Sequence, residues 1–203
     1  MSRYVLLARH GHHGEVGHVL SGRSAIALDA QGHAEAAALA RHLAGQDVTR
    51  LCASPRTRTQ QTAAAVAATH RIAVETIAAL DEVDFGRFTG VSFEALADDP
   101  DWRRWNEARG EARCPGGETM AEAVARAVGF VSAAGDGVTV CVSHCDVIRG
   151  VVAHYLGLPL ARIFSLGCDP GSVTTLRLEG KGAVLVSLNE RPLLDRGDGL
   201  RRG

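Results

Sequence analysis

The apolar run Val5-Leu6-Leu7-Ala8 leads straight into Arg9-His10-Gly11. An imidazole able to attack an electrophile therefore stands beside a fixed positive charge, where a buried strand ends. A second junction of this kind, Val138-Thr139-Val140-Cys141-Val142-Ser143-His144, lies far downstream. Two histidines at the ends of two buried strands suggest one site, and the arginines around them suggest an anionic ligand. Gly11 lets the backbone turn sharply and come close to that ligand. Taken alone, Arg9-His10-Gly11 is open to three readings: metal ligation, a structurally satisfied histidine, or catalysis.

Two further segments could carry chemistry. In Ser54-Pro55-Arg56-Thr57-Arg58, Ser54 suits a helix N-cap and Pro55 the first helical position. Arg56 and Arg58 then stand where the helix macrodipole favours acids, at a cost of about 0.3 kcal/mol each. A bound anion reverses that sign; two solvated surface arginines are the plain alternative. In Asp81-Glu82-Val83-Asp84-Phe85-Gly86-Arg87-Phe88, acids alternate with aromatics. A carboxyl lodged against Phe85 or Phe88 would have a raised pKa and suit general acid work. The alternative is a polar turn with two packed aromatics.

These residues need a scaffold. Strands are expected at Tyr4–Ala8, Arg50–Ala53, Val138–Val142, Ser172–Leu178 and Ala183–Asn189, with a weaker one at Ala73–Ile77. The first and third are continuous apolar runs, as for strands covered on both faces. Helices are expected at Gln31–Ala44, Thr57–Thr69, Thr119–Ala134 and Val147–Leu156, the last ending at Gly157. The alternation predicts an α/β fold: a three-layer α/β/α sandwich around a mostly parallel sheet. Gly180-Lys181-Gly182 turns the last two strands into an edge hairpin. Ligands of open α/β sheets bind outside the carboxyl ends of the strands, where both histidines fall. Residues 83–118 read as an irregular, cap-like insertion over that face, within one domain spanning 1–203. The tail from Arg191 onward is expected to fray.

Composition bounds the rest. The chain has 203 residues, 46% of them hydrophobic, enough for one sizeable core. A net charge of −1 argues against a nucleic-acid partner. Of the 22 basic residues only Lys181 is a lysine, so arginine number carries little meaning and arginine position carries more. Arg87, Arg103, Arg104 and Arg109 near the expected rim would suit a polyanionic substrate. Five cysteines without C-x-x-C spacing argue against a disulfide scaffold or a zinc site, and no run is long enough to span a membrane. A cytoplasmic setting follows.

Six segments in order resemble the histidine phosphatase superfamily, the phosphoglycerate-mutase-like family. They are Arg9-His10-Gly11; Leu20-Ser21-Gly22-Arg23 with Leu28 and Gly32; Ser54, Arg58 and Thr62; Glu82, Gly86, Phe88 and Gly90; Pro115-Gly116-Gly117-Glu118 with Arg126; and Val142-Ser143-His144 with Arg149. The resemblance implies a phosphatase of small phosphorylated metabolites. His10 would form a phosphohistidine; Arg9, Arg58 and His144 would hold the phosphoryl oxygens; Glu82 would protonate the leaving oxygen and then activate water. Gly11, His13, Ser21, Gly22, Arg23 and Cys145 would line the substrate. No metal or cofactor is implied, and a homodimer is left open. His12-His13 stand where the family often has Glu-Thr, Val16 where it has Asn, Cys145 where it has Gly, and Phe88 where it has Trp.

Three rivals remain on the sequence. The histidines at 10, 12, 13 and 18 could ligate a metal, although their spacing fits no zinc template. The fold could serve as a non-catalytic anion-binding module. It could also run a mutase reaction, against which the short span from Thr62 to Pro115 argues.

Overall fold

A computed structural model of the chain describes residues 2–194. Strand β1 (Arg3–Arg9) is followed by a long loop holding the two-residue strand β2 (Val19–Leu20), then by helix α1 (Ala30–Leu43). Next come β3 (Val48–Ala53), α2 (Thr57–His70) and β4 (Val74–Thr76). The segment expected to be irregular holds β5 (Val91–Ser92) and two helices, α3 (Phe93–Leu96) and α4 (Pro100–Glu107). Helix α4 starts on Asp99, whose side chain accepts from the amides of Asp101 and Trp102, with Pro100 in its first turn. Helix α5 (Met120–Ser132), β6 (Gly137–Ser143), α6 (Cys145–Leu156), β7 (Val173–Glu179) and β8 (Gly182–Glu190) complete the order. Of the tail expected to fray, residues 195–203 lie outside the described residues.

The main sheet has six strands in the order β4-β3-β6-β1-β7-β8. Strands β4, β3, β6 and β1 run parallel; β7 is antiparallel to β1, and β8 to β7. The expected mostly parallel sheet with an edge hairpin is therefore found. Alternation along β1 builds the three layers. Val5 and Leu7 face a core shared with α5 and α6, whereas Leu6 and Ala8 face α1 and α2. All four are at most 5% exposed, which explains the unbroken apolar run.

Register positions the site. Arg9 of β1 pairs with Ser143 of β6, so the strands end level and His10 emerges beside His144. The His10 amide donates to the Ser143 carbonyl at 3.1 Å. The chain then turns through Gly11, whose amide donates to Thr62 Oγ1 at 3.1 Å. A Cβ on Gly11 would lie 2.4 Å from the Gly32 carbonyl oxygen, and one on Gly32 would lie 2.0 Å from that of His12. Two backbones touch here, and only glycine permits it.

Gly32 lies inside α1, where alanine normally gains about 1 kcal/mol over glycine. Gly32→Ala is nevertheless expected to destabilise the protein by roughly 1–3 kcal/mol, because the contact dominates. Gly129→Ala, in α5 with open space around its Cβ, is expected to stabilise it. Urea denaturation of both variants checks the opposite signs.

Candidate active site

A cavity of about 230 Å³ opens at the carboxyl ends of β1 and β6, and Arg9, His10, His13, Arg58 and Glu82 line its inner part. His10 is 3% exposed. Its Nδ1 lies 2.8 Å from the Gly11 carbonyl oxygen. A carbonyl can only accept, so Nδ1 carries the proton and Nε2 keeps its lone pair. Burial, then the nearby Arg58 and Arg9 guanidiniums, hold the His10 pKa well below the usual 6.5. The ring is therefore neutral at pH 7, with a free nitrogen available for attack.

Arg58, in the first turn of α2, is 1% exposed. It donates to the carbonyls of Gly22 and Ser24 and, at 3.1 Å, to Nδ1 of His144. His144 then carries its proton on Nε2, which lies 2.7 Å from Ser54 Oγ. Ser54 donates onward to Asp81 Oδ1 at 3.2 Å. This chain of bonds fixes the His144 ring and its tautomer. Burial and Arg58 lower its pKa well below 6.5. Arg9 is held by one bond, 2.7 Å to the Cys168 carbonyl. The Nε–H groups of Arg9 and Arg58 are buried and have no hydrogen-bond partner. Two unspent cationic donors thus lie beside a free imidazole nitrogen, an arrangement that suits an anion with several oxygens.

Glu82 is 8% exposed, and one oxygen accepts from the Val83 amide at 3.0 Å. Burial, helped by the charge of Asp146, raises its pKa from 4.5 to about 8. It is a carboxylic acid at neutral pH and can give up a proton. Its backbone is clamped from behind. The Glu82 carbonyl accepts from Arg23 and Arg126, both at 2.9 Å, and both arginines also reach Glu118.

The sequence model of the histidine phosphatase superfamily (branch 1) matches residues 5–191. The chain belongs to this superfamily. It is 29% identical over 168 residues to phosphoserine phosphatase 1 of Hydrogenobacter thermophilus, covering 80% of each protein. It is 40% identical over 149 residues to an uncharacterized protein of Mycobacterium tuberculosis, covering 69% of this chain and 72% of that one. A mycobacterial glucosyl-3-phosphoglycerate phosphatase superposes with a TM-score of 0.82 at 25% identity, over 94% of this chain and all of that one. A putative alpha-ribazole-5'-P phosphatase from Escherichia coli superposes at 0.85 with 24% identity, over 95% and 98%, and so shares the fold.

Within this histidine phosphatase, the structure brings Arg9, His10, His13, Ser21, Gly22, Arg58, Glu82 and Cys145 to the cavity wall. His144, fully buried, backs Arg58. Gly11 serves as the turn beneath His10. Arg23 is placed otherwise than expected. Its nitrogens are spent on the Glu82 carbonyl, Asp84 and Glu118, so it braces Glu82 from behind instead of lining the cavity. Arg56 is likewise taken, by a two-pronged pairing with Asp81 at 2.9 and 2.8 Å. Ser54 caps only loosely, its hydroxyl accepting from the Arg56 amide at 3.4 Å. Its hydroxyl is engaged by His144 and Asp81, and α2 begins at Thr57 after an Arg56 without a side-chain cap.

Of the clustered histidines, His12 turns away to Asp29, at 2.6 Å, while His13 points inward. Its Nδ1 is buried without a partner, and burial lowers its pKa to about 4. Among the described residues no three His, Cys, Asp or Glu side chains converge as metal ligands do. Sequence reasoning did not single out Asp81, although it stands next to Glu82 and ties Ser54, Arg56 and the Glu82 amide together. Trp102 and Asn106 in the cavity wall fall within residues 91–113, the stretch expected to shape the rim, without having been singled out, and Phe164 lies outside that stretch. They come from α4 and the 3-10 turn Leu160–Ser165, where no motif marks them.

The raised pKa of Glu82 has a stability consequence. The folded state holds this proton between pH 4.5 and about 8 while the unfolded state releases it, so stability falls as pH rises through that window. Glu82→Gln is expected to remove that loss. Urea midpoints of wild type and variant across the window should diverge steadily with rising pH.

Proposed function

We propose that this chain hydrolyses phosphomonoesters of small molecules through a phosphohistidine on His10. Hydrolysis of phosphoric monoesters is the activity of the superfamily relatives named as phosphatases. The observation that carries the mechanism is the pairing of a neutral His10, with Nε2 free, and the unspent Nε–H donors of Arg9 and Arg58 in one cavity.

Phosphoryl transfer is mostly positioning and charge stabilisation. The oxygens of the bound phosphoryl group take the free donors of Arg9 and Arg58, with His144 behind Arg58. His10 Nε2 attacks phosphorus opposite the leaving oxygen. As the N–P bond forms and the P–O bond breaks, protonated Glu82 gives its proton to the leaving alkoxide, and the alcohol departs. Glu82, now a carboxylate, takes a proton from water. That water attacks phosphorus, the N–P bond breaks, and inorganic phosphate leaves with His10 restored. The His10 Nδ1–H to Gly11 bond holds the ring through both steps.

His13 fills the space beside His10, its ring centroid 5.2 Å away, and its buried Nδ1 suits a phosphoryl contact in place of the Asn that Val16 replaces. The substrate is a small phosphorylated metabolite. A reducing, cytoplasmic setting suits the five free cysteines, and no described helix is long and apolar enough to cross a membrane.

His10→Ala is expected to abolish hydrolysis of p-nitrophenyl phosphate; full activity in that variant would sink the mechanism. Trapping with labelled substrate should give a phosphoprotein stable to base and labile to acid, whereas acid stability would indicate a serine or threonine ester. The pH profile of kcat/KM should fall on the acid side only well below the usual imidazole range, as His10 protonates, and on the basic side near pH 8, as Glu82 ionises. Glu82→Gln should lose the basic limb and slow release of alkoxide leaving groups more than of p-nitrophenolate.

A further inference from the structure

The outer half of the cavity holds a second cationic group. Arg109, just beyond α4, is 3% exposed, yet among the described residues no carboxylate comes within hydrogen-bonding distance of it. Its NH1 lies 3.9 Å from Asp146, and its NH2 donates to Asn106 Oδ1. The guanidinium is sandwiched between aromatic rings, 4.3 Å from the Trp105 centroid and 4.2 Å from that of Phe164. Arg149 of α6 lines the same cavity, its Nε anchored on the Leu166 carbonyl at 2.8 Å and its NH1 also 3.9 Å from Asp146. Two guanidiniums thus share one carboxylate at a distance too long for a hydrogen bond, leaving a net positive charge on the cavity wall.

Burying a cation is unfavourable unless it meets a counter-charge. Stacking on two rings offsets part of that and fixes the orientation of the fork. The other arginines of this stretch behave differently. Arg87 pairs with Asp99 and Asp101 at the surface, Arg103 bonds the Asp98 carbonyl, and neither they nor Arg104 line the cavity. Arg109 is the member of that group turned inward, so the arginine-rich composition does not account for it.

The cluster also has a direction. Asp146 is near enough to Glu82 for its charge to be the largest influence, after burial, on that side chain. In the proposed mechanism Glu82 serves the leaving oxygen, so Asp146 and its two arginines lie on the side where the alcohol sits. Phe93, Trp102 and Leu20 supply apolar wall in the same cavity.

Resting on the phosphomonoesterase reading, we propose that Arg109 and Arg149 form a second anion subsite, so that preferred substrates carry a carboxylate or a second phosphate on the alcohol they release. The chemistry shared by the two groups is a set of coplanar or clustered anionic oxygens that a guanidinium fork meets in pairs.

Non-hydrolysable phosphonates test the subsite by binding alone. Calorimetric titration would compare phosphonoacetate, 3-phosphonopropanoate and 4-phosphonobutanoate with alkylphosphonates of equal length, and with propane-1,3-bisphosphonate. At least one doubly anionic member is expected to bind wild type about tenfold or more tighter than its alkyl counterpart, as two charge-assisted bonds imply. The tighter of the carboxylate and bisphosphonate arms names the second group. Arg149→Gln, at a partly exposed position, and Arg109→Gln, checked for folding by thermal melting, should each shrink that ratio toward one. Equal affinities in wild type, no binding by any member, or an unchanged ratio in folded variants overturns the proposal. Failure of the hydrolase reading would show separately, as absent p-nitrophenyl phosphate turnover with the binding difference intact.

Discussion

Arg58 is a cation with 1% of its surface exposed, and the chemistry of the site follows from holding it there. Two backbone carbonyls and a histidine nitrogen accept its protons, and among the described residues no carboxylate bonds it directly. After burial itself, its charge is the largest influence keeping His10, His13 and His144 unprotonated. Three rings that would otherwise titrate near neutrality stay neutral, one with a nitrogen free to attack. Had Asp81 bonded Arg58 instead, the field at the nucleophile would be largely cancelled. The structure gives Asp81 to Arg56 and Ser54, one step removed.

The strands and the longer helices were legible because burial on both faces leaves unbroken apolar runs and because glycine ends α6 in the left-handed region, as at Gly157. The catalytic constellation was legible for a related reason: its members sit at strand ends, where apolar runs abruptly meet Arg9-His10 and Ser143-His144. What escaped was hydrogen-bond direction. Nothing in the order of Ser54-Pro55-Arg56 says that the serine serves a histidine from another strand as well as the amide of Arg56. Nor does the order say that Arg23 faces backward onto Glu82 and Glu118. These are choices among partners brought close by tertiary structure. Helix α4 left a readable trace in Asp99-Pro100, a cap followed by a proline at the first helical position, but its short length kept any apolar period from emerging.

Of the departures from the family pattern, His13, Val16 and Cys145 line the cavity, whereas Phe88 is buried in the core. His12 is drawn off to Asp29 and thereby secures the start of α1, whose cap is the same Asp29. His13 and Val16 then line the cavity from the loop, together with Phe93, Trp102 and Phe164. Cys145 adds a side chain at the mouth of α6 next to Asp146. The inner machinery belongs to the sheet and the first turns of α2 and α6; the outer wall is shared by the loop carrying His13 and Val16, by α3, α4 and α6, and by the 3-10 turn Leu160–Ser165.

That outer wall is drawn together by the smallest sheet in the described residues, the antiparallel pairing of Val19–Leu20 with Val91–Ser92. Because the two halves of the wall come from distant parts of the chain yet share this ribbon, lengthening one loop during descent would displace the other as well. The wall facing the released alcohol would therefore change shape as one unit. The protonation states set by Arg58 at the floor would pass through such changes untouched.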